Sequence, residues 1–449
     1  MKRMSWGILI LAVACGKGGG GGEKFGAPQD QTQAGIIASC TTKAQAASTA
    51  EKLGGSFRVL NEKRGLIEFY DIPSEDLRVE LPKAKLKENH VYENLVENGF
   101  SASANLGNFP YVGGVTPQYR DSTMTSYFPY LTQIDAYNLP VGVRGSGVTI
   151  AIVDSGVHYN HPHLSPNIRT NPRDGHGPAA NGRDEDDNGF SDDFAGWDFY
   201  NHDAYPVDDN GHGTHVAGLA AGTLSGVAQQ AKILPVKVLG SRGNGDLASI
   251  AAGILYAVEN GADVINLSLG GSGAAQMGSA LDELIGYIGL ARDRNIVIVA
   301  AAGNGGDDSV GDCNDDQPIW PASIESDNLM AVGSVDRANK LTTYSNFGGR
   351  SVHVAAPGGD NTGLLSTVPG NCTTNCNSTH AVYDRMSGTS MATPVVSGLV
   401  ALVRGVNRSL AAKDVIELIM ENGTDVPEFD GLIRSRQVVN AGKVLEVLR

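Results

Sequence analysis

A serine hydroxyl attacks a peptide bond only with help. A base must take its proton, a further group must fix that base, and donors must wait for the oxyanion. The 449-residue sequence holds a candidate for each part. Asp154 closes the apolar run Thr149-Ile150-Ala151-Ile152-Val153 and precedes Ser155-Gly156. A carboxylate at a strand end can accept a hydrogen bond from an imidazole and hold its tautomer. His212 lies in Asn210-Gly211-His212-Gly213-Thr214-His215, whose small residues let a helix start close to other backbone. Ser390 lies in Ser387-Gly388-Thr389-Ser390-Met391-Ala392-Thr393-Pro394, at the start of an apolar helix. A helix start offers open N–H groups and a positive dipole end, both suited to an oxyanion. Asn304, in Ala301-Ala302-Gly303-Asn304-Gly305, adds a side-chain amide donor. Taken singly, each residue has an ordinary structural role as a cap or turn former.

Together the segments resemble the subtilisin family of serine proteases. Val153-Asp154-Ser155-Gly156, His212-Gly213-Thr214-His215-Val216-Ala217-Gly218 and Gly388-Thr389-Ser390-Met391-Ala392-Thr393-Pro394 follow the family's order of Asp, His and Ser. Ala301-Ala302-Gly303-Asn304 falls between the last two. The resemblance covers about residues 130–449. It implies that Ser390 is the nucleophile, His212 the general base and then acid, Asp154 the orienting carboxylate and Asn304 an oxyanion donor. It also implies that Ser268, Leu269, Gly270 and Gly271 form a strand that pairs with an extended peptide substrate, and that Gly303 lines the primary specificity pocket. His215 is expected to be a packed structural companion.

Between Asp154 and His212 lies an acidic insert, with ten acids and no Lys or Arg from Asp184 to Asp209. Asp184, Asp186, Asn188 and Asp192 place oxygens at alternate positions around Gly189, as in the first half of a calcium loop. Ala195 stands where an EF-hand has its bidentate Glu. So many carboxylates in one loop repel one another without a cation, so structural Ca2+ is expected. His158, His161 and His163 invite a zinc reading, but His161-Pro162-His163-Leu164 matches a turn common in the resembling family.

These groups need a frame. From residue 128 to 449, short apolar strands alternate with helices. Strands are expected at residues 148–153, 233–238, 264–267, 296–301, 329–335 and 352–355. Helices are expected at 212–221, 247–259, 274–294, 391–404 and 410–421. Such alternation predicts an α/β fold: a doubly wound, mostly parallel sheet with helices on both faces. In such sheets functional residues gather at the carboxyl ends of strands. Residues 35–98 read as a small α+β domain of order βαββαβ, with its last strand at Val91-Tyr92. That order resembles the ferredoxin-like inhibitory propeptide of subtilisin-type zymogens, so the chain's own propeptide is an expected intramolecular inhibitor. Residues 99–127 read as a linker containing the maturation cut.

The N-terminus reads as an export signal over residues 1–15, with Lys2 and Arg3 before an apolar run too short to span a bilayer. Ala12-Val13-Ala14-Cys15 resembles a bacterial lipobox, although Leu11 stands one place too far from the cysteine. Residues 16–34, with Gly18 to Gly22, then form a flexible tether. The expected location is the cell envelope of a bacterium, with the mature enzyme released to the periplasm or outside, and membrane contact only through that lipid. The net charge of −15 argues against a nucleic-acid partner, and the resemblance implies proteins or peptides as substrates. Export permits disulfides, and Cys313 could pair with Cys372 or Cys376, or those two with each other.

Overall fold

The strand Thr149–Asp154 shows why the main sheet forms. All six residues are buried, so neither face meets water. Ile150 and Ile152 enter one core while Ala151 and Val153 enter the other. A run without polar alternation suits a parallel sheet covered on both sides.

The structure is a computed structural model that describes residues 36–38, 43–61, 66–70, 72, 76–77, 80–81, 86–88, 91–94, 126–137, 139–140, 142–174, 180–272, 274–369 and 382–449. The N-terminal part contains β1 (Ile36–Ala38), α1 (Lys43–Leu53), β2 (Ser56–Asn61), β3 (Leu66–Tyr70), β4 (Leu86–Glu88) and β5 (Val91–Asn94). There follow α2 (Pro129–Gln133), β6 (Thr149–Asp154), β7 (Trp197–Asp198), α3 (His212–Ala221), β8 (Lys232–Lys237), β9 (Asn244–Asp246) and α4 (Leu247–Glu259). Next come β10 (Val264–Leu267), β11 (Leu269–Gly270), α5 (Ala274–Asp293), β12 (Val297–Ala301), β13 (Leu329–Val335) and β14 (Val354–Pro357). The chain ends with β15 (Leu364–Thr367), β16 (Tyr383–Met386), α6 (Thr389–Val406), α7 (Ala412–Glu421), β17 (Thr424–Asp425), β18 (Gln437–Val438) and α8 (Ala441–Val447).

The main sheet has nine strands in the order β17-β18-β14-β13-β12-β10-β6-β8-β7. Every pairing in it is parallel except β17 with β18 at the edge. α3 and α6 pack on one face, and α4 and α5 on the other. α4 is fixed at its start by Asp246, whose side chain accepts from Ser249 N, a cap worth about 1 kcal/mol. α6 is apolar and 18 residues long, enough to cross a membrane by length alone, yet it is 89% buried. It is the central core helix. Each fully buried Val or Leu on it contributes about 1.5–3 kcal/mol. α3 approaches β15 closely at Gly218, where a Cβ would stand 2.2 Å from both Ser366 Oγ and Thr367 Oγ1.

A separate four-stranded antiparallel sheet of order β2-β3-β1-β4 holds its own small core with α1, including Ala46, Ile67, Phe69 and Leu77. Its last strand is β4. The expected last strand at Val91-Tyr92 leaves this sheet. It forms instead the middle of a three-stranded sheet, β11-β5-β9, on the large domain. The reason is hydrogen-bond demand: β9 and β11 both present open edges, and β5 satisfies both.

Cys313 is a free thiol. Cys15, Cys372 and Cys376, like the expected signal, tether and linker, fall outside the described residues.

Candidate active site

β6, β10 and β12 are neighbours in the sheet, and their carboxyl ends lie side by side. Asp154 ends β6, Ser268 follows β10, and Asn304 follows β12. Ser390 starts the helix that packs across these strands. Residues separated by up to 236 positions are thereby brought to one edge.

His212 Nδ1 and Asp154 Oδ1 are 2.7 Å apart, and both side chains are buried. Ser155 N also donates to Asp154 Oδ1 at 2.7 Å. With Nδ1 committed to the carboxylate, the opposite nitrogen is the one able to take a proton. His212 Nε2 is buried and has no hydrogen-bond partner. The close approach of α3 to β6 depends on Gly213, where a Cβ would lie 2.1 Å from Gly156 O.

The His212 segment is held from beneath by Asp208, which sequence reasoning did not single out. Its Oδ1 accepts from Ser155 Oγ, Asn210 N and Gly211 N. Its Oδ2 accepts from Thr214 N and Thr214 Oγ1. Burial raises its pKa, and these donors work against that rise. The only available signal was a carboxylate four residues before His212, hidden among ten acids. His215 behaves as expected. It is buried, and its Nε2 faces Leu364 O and Asp384 O at 3.0 and 3.2 Å. Burial lowers its pKa to about 3.

Ser390 Oγ donates to Ser268 O at 3.0 Å, and Ser268 Oγ donates to Ser390 O at 2.9 Å. A buried chain supports Ser268: Ser397 Oγ donates to Asn266 Oδ1, and Asn266 Nδ2 donates to Ser268 Oγ. Satisfied buried networks of this kind fix position. Ser390 lies in the first turn of α6, where backbone N–H groups face outward from the helix end.

Asn304 Oδ1 accepts from Thr389 N and Thr389 Oγ1, both at 2.9 Å. Its Nδ2 is buried without a partner. An unpaired buried amide costs free energy unless a ligand oxygen arrives. Gly303 has φ +114, and a Cβ there would meet Asn346 Nδ2 at 2.6 Å, so only glycine fits. Leu269 and Gly270 form β11, paired antiparallel with β5, and Gly271 exchanges two backbone hydrogen bonds with Trp320.

The acidic insert is ordered differently from the expected alternate-position loop. Oxygens of Asp174, Asp184 and Asp186 lie within 4.8 Å of one another. Asp174 is buried, and its Oδ2 has no hydrogen-bond partner. Asp192 stands apart: its oxygens accept from Asn181 N and Gly182 N. Asn188 presents its amide nitrogen to Asp193 at 2.8 Å, and its Oδ1 accepts from Phe190 N. Burial raises the pKa of Asp186 and lifts that of Asp193 to about 7. Asp174 was missed because it lies ten positions before Asp184. The three histidines do not converge on an ion: His161 Nε2 faces Val382 O, and His163 Nδ1 faces Tyr383 OH.

The model of the subtilase family, Peptidase_S8, matches residues 145–438. The chain is 36% identical to thermitase of Thermoactinomyces vulgaris over 309 residues, which is 68% of this chain and 90% of thermitase. It is 37% identical over 289 residues to a thermophilic serine proteinase of Bacillus sp. (strain AK1), covering 63% of this chain and 58% of that protein. A solved structure of a cold adapted subtilisin-like serine proteinase shares 27% identity, with a TM-score of 0.49, over 68% of this chain and 90% of its own. The chain belongs to the subtilase family and is a serine-type endopeptidase. Its fold is subtilisin-like, with the parallel sheet expected from its strand pattern.

Proposed function

We propose that Asp154, His212 and Ser390 act as the catalytic triad and Asn304 as an oxyanion donor, in an exported endopeptidase made as a self-processing zymogen. The observation that carries this reading is the 2.7 Å bond from His212 Nδ1 to Asp154, which leaves Nε2 as the only proton acceptor on the ring. The Ser390 hydroxyl turns from Ser268 O toward Nε2 when a substrate carbonyl arrives. Oγ then bonds to the carbonyl carbon and its proton passes to His212. Asn304 Nδ2, with the backbone N–H of Ser390, receives the oxyanion. His212 returns the proton to the leaving amine, and water hydrolyses the acyl-enzyme. Ser268 to Gly271 bind the substrate backbone as a strand, and Gly303 borders its pocket.

The small domain built on β1–β4 acts as the propeptide, supported by the seat of β5 between β9 and β11. Asp174, Asp184 and Asp186 fit a calcium ion: hard oxygens converge, and one buried lone pair lacks a partner. Such an ion would neutralise the insert before His212. Export rests on the N-terminal run, and one relative is named a cell wall-associated protease. A lipid on Cys15 would sit on the propeptide side of the cut, so maturation would free the catalytic domain from the membrane.

The test is casein hydrolysis by wild type and Ser390→Ala. The variant should lose about a millionfold in kcat, a magnitude carried over from subtilisin itself. Equal rates would overturn the reading.

A further inference from the structure

Pro394 lies inside α6, four residues after Ser390. In an α-helix the N–H of residue i+4 donates to the carbonyl of residue i. Proline has no N–H, and its ring crowds that carbonyl. The helix therefore withholds from Ser390 O the bond it would ordinarily give. Ser390 is fully buried, where a carbonyl without a donor is costly. A donor arrives from another element. Ser268 Oγ, just past β10, donates to Ser390 O at 2.9 Å.

The direction of every bond behind it follows from that end point. A carbonyl oxygen only accepts, so the single Ser268 hydroxyl proton is committed to it. Toward Asn266 the same hydroxyl can then only accept, and it does so from Asn266 Nδ2 at 2.9 Å. The amide is thereby turned with Oδ1 toward Ser397, whose hydroxyl donates to it at 2.8 Å. Ser397 lies seven residues after Ser390 on α6, two turns further along the same face. The bonds close a ring: α6 donates to β10 at Ser397 and accepts from the end of β10 at Ser390. Asn266, Ser268, Ser390 and Ser397 are all fully buried, so water does not compete for these groups.

We infer that Ser268, Asn266 and Ser397 are positioning residues that replace the helical donor lost at Pro394 and so fix the nucleophile. The inference rests on the catalytic reading of Ser390 above. The Ser390 hydroxyl and its backbone N–H both hang from the residue whose carbonyl Ser268 holds. With that carbonyl released, the first turn of α6 would shift away from the crowding Pro394 ring and carry both groups with it. A misplacement of about 1 Å at a reacting centre can cost about a hundredfold in rate. Cutting back the Ser268 side chain leaves the main-chain groups of Ser268 to Gly271 in place. The loss therefore falls on kcat and spares KM.

The experiment is a double-mutant cycle on a peptide substrate, with kcat and KM read separately. Ser268→Ala should lower kcat about tenfold and leave KM within about twofold. Pro394→Ala restores a helical N–H opposite Ser390 O, so adding Ser268→Ala to it should cost less than about threefold. An unchanged kcat in Ser268→Ala, a loss confined to KM, or an equal loss in both backgrounds overturns the inference. Should Ser268→Ala fail to fold, Ser397→Ala takes its place in the cycle, because it unpairs the Asn266 oxygen that orients the chain. It should cost about threefold in kcat in the wild-type background and nothing beside Pro394→Ala. No loss, or the same loss in both backgrounds, again overturns the inference. If Ser390→Ala is inactive while the cycle shows no coupling, this inference fails alone. If Ser390→Ala matches wild type, the catalytic reading fails with it.

Discussion

Thr389 holds Asn304 from behind: its backbone N–H and its hydroxyl each donate to Asn304 Oδ1 at 2.9 Å. That leaves the amide nitrogen turned into the site. The residue next to the proposed nucleophile, Ser390, thus orients an amide that follows a different strand. Replacing Asn304 with Ala should lower kcat by about a hundred- to thousandfold with little change in KM, the magnitude being that known for subtilisin's own asparagine. Thr389→Val removes one of the two anchoring bonds and should cost about tenfold in kcat, roughly 1.4 kcal/mol. Steady-state kinetics on a peptide substrate decides it. A loss confined to KM would show that the pair binds substrate without acting on the transition state.

Calcium should raise the melting temperature, and a chelator should remove that gain. At a hundredfold excess over Kd the linkage gives about 2.7 kcal/mol. Asp174→Asn should abolish most of the response, because its unpartnered oxygen faces the cluster. Asp192→Asn should keep it, because that carboxylate is spent on the N–H groups of Asn181 and Gly182. Calorimetry with and without the ion separates the two. The same melting response in all three proteins would place the ion elsewhere.

The buried histidines should each cost the protein stability in acid. Burial lowers the pKa of His161 and His215 to about 3, and that of His163 and His353 to about 4. In an unfolded chain histidine titrates near 6.5. Between about pH 4 and 6.5 the unfolded state therefore binds protons at these four sites that the folded state does not, and stability falls as pH falls. Asp193 and Asp198 oppose this, since burial lifts both to about 7 and the folded state then holds more protons. Burial also lowers the pKa of His158 and raises those of Asp186, Asp203 and Asp208, so the histidine share is isolated by replacing one imidazole. Each net proton is worth about 1.4 kcal/mol per pH unit. Urea midpoints at pH 5 and 6.5 for wild type and His353→Gln measure that share: the variant should lose less stability than wild type as pH falls, and an equal loss would refute this assignment.

The parallel sheet was readable because its strands are uniformly apolar and its helices long. The reading gave α3, α4, β10 and β13 their observed limits. Helix α6 began two residues earlier than expected, at Thr389, because a helix start is set by which N–H groups find partners rather than by where apolar residues begin. β9 was invisible. Asn244-Gly245-Asp246 has the composition of a turn, and it is a strand only because β5 lies against it. The same dependence misled the reading of Val91-Tyr92: its extended character was evident, but nothing local says which sheet it joins.

Within the proposed site, motifs pointed to Asp154, His212, Ser390 and Asn304 and missed the residues that hold them. Hydrogen bonds from Ser155 to Asp208, from Ser397 to Asn266 and from Thr389 to Asn304 join segments far apart in the chain. No spacing rule finds such partners. Asp192 fitted an oxygen-at-alternate-positions template that its own loop geometry broke, while Asp174 joined the cluster across a fold of the backbone.

A cleft made from two bare strand edges reads posture before it reads identity. β9 and β11 offer main-chain groups on both sides, so what they recognise first is a stretch of polypeptide drawn out straight. Tightly packed proteins keep such stretches folded away in their own sheets and helices. If maturation removes β5 as proposed, the vulnerability of any target should therefore track how often it locally unravels, more than which residues it carries at the point of attack.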